Sequence, residues 1–357
     1  SPSEVGTALS VARGMAASFD TTPDSVDKLP SFELELITGG QWRPEAGPLK
    51  AVLSGPLQAL EQQVRALAAR RVAKIVSRDA AATGVEAEVA MVDLTISQAL
   101  VRRYAVGERR AHPLHYDHHA LMTAVCPLSP PQADSGLFVQ TGAHVSSRSF
   151  VKFAAAGEFV VHGWDVAHGV DVAGDEDRFS LIVWFKPRAD TLSGGTSWYE
   201  PLARTGNPHA EYRLGLQRER KGKVGSARLW LRRAARQGHW RAMHRLGLLC
   251  RQQGDNASAA TWIGAAAMLG CANAQVDLAE LMDSEEGRRG RRPGSVDAAA
   301  FYEAAAAQGH PIGLRFQEAT VARRAREMPR LRWRAAAAAR RARETRSAGS
   351  RPHNVAR

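Results

Sequence analysis

Cysteine is scarce in this chain. Its 357 residues contain three, Cys126, Cys250 and Cys271, odd in number and scattered. That pattern suits packing or a reducing compartment better than a disulfide framework, and so favours the cytoplasm or nucleus. No apolar run reaches the roughly 18 residues a membrane-crossing helix needs. The chain opens at Ser1 rather than Met, which leaves room for a targeting segment. Acidic residues almost vanish near the end. Residues 321–357 hold twelve Arg and only Glu327 and Glu344, a balance of 12 − 2 = +10, against +12 for the whole chain. The preceding 320 residues are therefore near neutral, so the basic character belongs to a tail.

The length suits two or three domains. Residues 1–45 show little periodicity and read as a poorly structured segment with one strand at Phe32 to Ile37. Ser54 followed by Pro56 reads as a helix start. Leu57, Leu60, Val64 and Leu67 give that helix one apolar face, which Val72 and Ile75 extend. Between positions 98 and 185 the texture is strand-like: Gln98 to Val106, His119 to Val125, Gly136 to Thr141, Ser149 to Phe153, Glu158 to His162 and Phe179 to Phe185.

His115 and Asp117 stand two residues apart in this region, a spacing that puts both side chains on one face of a strand. His168 can bring a second imidazole from a distant strand. Two His and one carboxylate on one face of an ion leave open positions, the ligand set of non-haem Fe(II) oxygenases. Arg178 offers a planar, permanently charged fork suited to a carboxylate. His112, His118 and His119 crowd the same stretch and read as lining or solvent-facing. His162 competes with His168 for the third ligand place. Asp165, in Gly163-Trp164-Asp165, reads as a turn residue. Cys126 reads as packing.

The order Tyr104…His115-x-Asp117…Gly157…His162…His168…Arg178…Trp184 resembles the iron(II)- and 2-oxoglutarate-dependent dioxygenases, in particular the prolyl 4-hydroxylase-like branch, over about residues 85 to 190. The resemblance implies a double-stranded β-helix, or jelly-roll, catalytic domain. It implies Fe(II) held by His115, Asp117 and His168, and 2-oxoglutarate as cosubstrate gripped by Arg178 with Tyr104, with ascorbate as an accessory. The implied activity is C–H hydroxylation of a protein or peptide. An inactive oxygenase fold serving as an adaptor, or a small-molecule hydroxylase, are the competing readings.

After Pro187 the pattern turns Ala-rich and helical. Trp198, Trp230 and Trp262 recur every 32 residues, as do Gly206, Gly238 and Gly270, Ala210, Ala242 and Ala274, and Leu214, Leu246 and Leu278. A fourth copy, with Phe301, Gly309 and Gly313, is offset by 39, and the extra residues match a loop at 285–294. The segments Trp230 to His239 and Phe301 to His310 resemble Sel1-like repeats, relatives of the tetratricopeptide class. They imply an α-solenoid of helix-turn-helix units with a concave surface for a protein partner. The expected organisation is thus α+β and multidomain: an N-terminal segment (1–45), a dioxygenase domain (46–190), a repeat domain (191–316) and a basic tail (317–357). The tail's arginines could contact nucleic-acid phosphates. No zinc spacing, phosphate loop or aromatic motif accompanies them, so a solvated end is the reading adopted.

Overall fold

Strand residues near the centre of the chain are apolar on both faces, which requires cover on both sides of the sheet they form. In the computed structural model, which describes residues 1–21, 23, 29–78, 93–284 and 297–322, that cover is helical on one side and a second sheet on the other. The result is a mixed α/β protein with antiparallel sheets and many helices. The chain divides into two compact units, Ser1–Leu249 and Cys250–Arg357.

In the first unit, a six-stranded sheet runs in the order β2-β1-β3-β10-β5-β8: β1 Phe32–Thr38, β2 Gln41–Trp42, β3 Leu94–Tyr104, β5 Met122–Pro127, β8 Val160–Gly163 and β10 Arg178–Pro187. A four-stranded sheet runs β4-β9-β6-β7: β4 Ala111–His115, β6 Gly136–Gln140, β7 Arg148–Phe150 and β9 His168–Asp171. All pairings are antiparallel. The expected strands are all present, with shifted ends.

The period-2 alternation of β10 splits its side chains between two cores. Phe179, Leu181, Val183 and Phe185 join a large core with Leu49, Leu53, Leu57, Leu60 and Val64 of helix α2. Ile182 and Trp184 face the other way, into a small core with Leu100, Ala120, Val125 and Leu137. Polar residues on that same face of β10, Arg178 and Ser180, border a cavity.

Two expectations needed correction. The first 45 residues carry helix α1, Pro2–Gly14, and both β1 and β2. Ser1 and Glu4 form a capping box, and Ala8 and Ala12 bury against the large core. Small buried residues four apart fix a helix without a strong hydrophobic signal. Helix α2 spans Gly47–Arg78, so it starts before Ser54 and holds Pro56 inside it. Leu49 and Leu53 extend its buried stripe toward the N-terminus, and Leu67 is 44% exposed while Ala68 packs inward. The side chains of Val72 and Ile75 lie outside the described residues.

Short helices follow β10: α3 Arg188–Ser193, α4 Tyr199–Arg204, α5 Pro208–Arg220, α6 Val224–Arg236 and α7 Trp240–Gln252. Trp198, Tyr199, Ala203, Ala210 and Leu214 belong to the same large core as the sheet, which is why the first helices fall in the first unit. Buried Glu211 of α5 accepts from Arg233 of α6 (2.7 Å) and from Gln237 (2.7 Å). In the second unit lie α8 Asn256–Met268, α9 Ala272–Asp283, α10 Ala298–Ala306 and a helical stretch at 311–322. There Gln308 donates to Gly270 (2.9 Å) and Gln275 (3.0 Å), and Tyr302 stacks on Phe316.

The glycine column has a clear cause. Gly206, Gly238, Gly270 and Gly309 all have φ between 78° and 93°. At each, the next residue's N–H reaches back five residues, as from Asn207 to Leu202 and from His239 to Ala234. This is the Schellman ending, which asks for a left-handed residue after the helix. Ala210, Ala242 and Ala274 are fully buried, whereas Trp230, Trp262 and Leu278 are only half-buried. The expected loop at 285–294 and nearly all of the basic tail lie outside the described residues.

Candidate metal centre

β4 and β9 pair so that His115 lies opposite His168. Directly opposed residues of an antiparallel pair share a face. Asp117 follows two residues after His115, just beyond the end of β4 rather than within it. One ligand atom from each of His115, Asp117 and His168 lies within 4.8 Å of the other two. The His115 Nε2 is 3.4 Å from Asp117 Oδ1, and the His168 Nε2 is 3.5 Å from Asp117 Oδ2.

The other ring nitrogens settle the tautomers. His115 Nδ1 sits 2.9 Å from the Pro113 carbonyl, and His168 Nδ1 sits 3.0 Å from the Val166 carbonyl. A carbonyl only accepts, so each Nδ1 donates its proton there and each Nε2 is turned toward the carboxylate, free to coordinate once it carries no proton. Asp117 itself accepts from the Thr123 hydroxyl (2.7 Å). Three electron-rich atoms thus converge, each held from behind by a hydrogen bond, as metal ligands usually are. Bonds of about 2.1 Å at right angles would set such atoms about 3 Å apart, close to what is found.

Electrostatics agree with this. Burial pushes His115 down to about 4. Burial opposes charge on His168 and on Asp117 as well, but their mutual attraction prevails, raising the imidazole and holding the carboxyl well below its usual range. The cluster favours a positive charge at its centre.

His162 does not join it. It lies on β8 with its ring 4.2 Å from that of His168 and its Nδ1 3.2 Å from the Gly163 carbonyl. Asp165 occupies the turn after β8. Cys126 is buried on β5, its thiol pushed up to about 12 by burial, which makes it inert at neutral pH. His112, His118 and His119 line the cavity; His112 is buried, and His119 packs its ring on Trp184 (5.4 Å).

Arg178 opens β10 directly opposite Tyr104, the last residue of β3. Both line the cavity that the trio borders, a space of about 800 Å³. Arg178 as a whole is 7% exposed, and its guanidinium donates from Nη1 to the Ser135 carbonyl (3.3 Å). Among the described residues it has no carboxylate partner, and its Nε has no hydrogen bond. Burial lowers its pKa, and the buried Tyr104 hydroxyl, raised by burial, also lacks a well-formed hydrogen bond. A buried, unpaired guanidinium is costly unless an anion completes it. Its plane rests on Gly136, where a β-carbon would come within 2.1 Å of Nη1.

Sequence reasoning missed Thr123, Gly136, Gln98 and Ser180. Counting by twos from Arg178 finds Ser180, and from Tyr104 finds Gln98. Thr123 and Gly136 gave no signal, because their roles depend on contacts with side chains remote in the chain.

No protein-family model matches this sequence, and no curated protein matches it. Among solved structures the chain is similar to a Pseudomonas putida prolyl-4-hydroxylase, at 18% identity over 53% of this chain and 88% of that one, with a TM-score of 0.33. It is also similar to a 2OG-Fe(II) oxygenase family oxidoreductase from Burkholderia pseudomallei, at 16% identity over 50% and 81%, with a TM-score of 0.31. A third is a Trichoplax adhaerens prolyl hydroxylase bound to a hypoxia inducible factor peptide, at 14% identity over 55% and 82%, with a TM-score of 0.33. The case for the site stands on the residues themselves.

Proposed function

We propose that this chain is an Fe(II)- and 2-oxoglutarate-dependent dioxygenase that hydroxylates a C–H bond of a protein or peptide, in the manner of a prolyl hydroxylase. The observation that carries the reading is one cavity holding two unsatisfied demands. His115, Asp117 and His168 converge as though on a cation, and Arg178 sits buried without an anion.

The trio fits Fe(II) by donor type: two neutral imidazoles and one carboxylate, with the remaining positions open. Bound there, the metal would supply the oxidising chemistry that couples 2-oxoglutarate decarboxylation to hydroxylation. The protein's part is positioning and exclusion. Thr123 fixes the carboxylate of Asp117, and the Pro113 and Val166 carbonyls fix the two rings. Arg178 takes the far carboxylate of the 2-oxo acid as a charge-assisted fork, with the Tyr104 hydroxyl adding a hydrogen bond. Leu100, Val125, Leu137 and Ile182 keep water from the cosubstrate's methylene chain. On this reading the two sheets are a double-stranded β-helix. The later helices are Sel1-like repeats of an α-solenoid that recruits a partner or substrate.

The test is iron-dependent succinate formation from 2-oxoglutarate over a peptide panel, with His168→Ala as the control. Iron-loaded wild type that makes no succinate with any peptide, or a His168→Ala protein that makes as much as wild type, would overturn the reading.

A further inference from the structure

Charge along the cavity is lopsided. Five arginines line it, Arg102, Arg178, Arg213, Arg220 and Arg241, against two acids, Glu33 and Asp117. Both acids are engaged: Glu33 pairs with Arg102, and Asp117 lies between the two imidazoles. Arg178 is assigned above to the cosubstrate. Three arginines remain, Arg213 and Arg220 on α5 and Arg241 on α7, with no carboxylate partner among the described residues.

Two of these side chains, those of Arg213 and Arg241, are held rather than loose. The Arg241 guanidinium lies over the Tyr116 ring (4.5 Å) and the Trp240 ring (4.7 Å). Arg213 lies over Tyr199 (5.8 Å), whose hydroxyl donates to the His118 carbonyl. The Nε atoms of Arg213 and Arg241 are buried without a hydrogen bond. A guanidinium held over an aromatic ring can still offer its N–H groups to a carboxylate and loses less freedom on binding one. Tyr116, which Arg241 covers, falls between the two ligand residues His115 and Asp117. The three arginines and the His115, Asp117 and His168 trio line the same cavity.

The aromatic faces here are already used within the protein. Arg241 covers Tyr116, and Tyr212 stacks on His239 at 4.7 Å. They do not form an open platform for nucleobases, which single-stranded nucleic acid requires. A peptide needs no such platform.

We infer that the cavity selects an acidic peptide, a target residue flanked by Asp or Glu whose carboxylates are taken by Arg213, Arg220 and Arg241. The peptide's being hydroxylated rests on the dioxygenase reading; its charge preference does not. The test uses full-length protein and dye-labelled peptides of equal length, a central proline flanked by Glu, Gln or Lys, together with a single-stranded oligonucleotide. Binding is read by anisotropy. The Glu peptide should bind roughly ten-fold or more tighter than the Gln peptide, and added salt should shrink that margin. Arg220→Gln and Arg241→Gln should each lower the margin, while Arg241→Lys should keep part of it. Arg220 is exposed, so its variant reports binding without a folding defect.

Equal affinity for Glu and Gln peptides would overturn the inference, as would tighter binding of the oligonucleotide than of any peptide. Succinate formation separates the two readings. Preference for the Glu peptide without succinate refutes the dioxygenase and leaves this inference standing. Succinate without charge preference does the reverse.

Discussion

Gly136→Ala is the sharpest perturbation the structure offers, because it adds one methyl group against the one cation assigned to the cosubstrate. Gly136 has φ near 98°, where an L side chain is strained by about 1–2 kcal/mol. The added carbon would lie 2.1 Å from Arg178 Nη1, 2.2 Å from Nη2 and 2.3 Å from Cζ. Ordinary contact starts at 3.4 Å, so the guanidinium must retreat by 3.4 − 2.1 = 1.3 Å. Arg178 is the flexible partner and moves first, giving up the Ser135 carbonyl. A charged hydrogen-bonded contact to the 2-oxo acid is worth about 1.5–3 kcal/mol, so the KM for 2-oxoglutarate should rise roughly ten- to hundred-fold. Backbone strain should lower Tm by about 2–8 °C. Iron affinity, set by the trio, should stay within about two-fold, since the perturbed contact is not among the ligands. The assay is 2-oxoglutarate titration of succinate formation, with iron affinity measured separately. An unchanged KM in a folded Gly136→Ala protein would show that Arg178 does not bind the cosubstrate.

Other expectations follow from the same geometry. Thr123→Val removes the hydroxyl that fixes Asp117 and should weaken metal binding about 10- to 100-fold with little loss of fold, as read by metal titration and circular dichroism. Gly238→Val forces a β-branched side chain into a left-handed helix ending, and should cost at least about 1 kcal/mol in denaturant unfolding; no loss would mean the turn is not formed as described. Acid should destabilise the metal-free protein as pH falls from about 6.5 towards 3. His162 is held down to about 4 by burial, and His209 and His239 to about 3 by burial and neighbouring charge. The unfolded chain therefore binds more protons in that window, and stability falls with pH. A flat stability profile between pH 6.5 and 4 would contradict the buried, neutral state of these rings.

The sequence by itself determined the strands, the His-x-Asp pair with its distant His and Arg, and the 32-residue glycine step. Each is set by local or periodic chemistry. Alternation marks β10, and a left-handed helix ending asks for Gly at 206, 238 and 270. What it could not fix were meetings between distant side chains. Register decided that His115 faces His168, and Tyr104 faces Arg178. Close approach of β6 to β10 decided that position 136 must be glycine. Helix α1 stayed hidden because its buried residues are alanines, whose signal is weak until something packs on them. Arg213, Arg220 and Arg241 were not singled out in the sequence. Only the packing of α5 and α7 placed them along the same cavity as His115, because a helix's periodicity sets which residues share a face but not what that face meets.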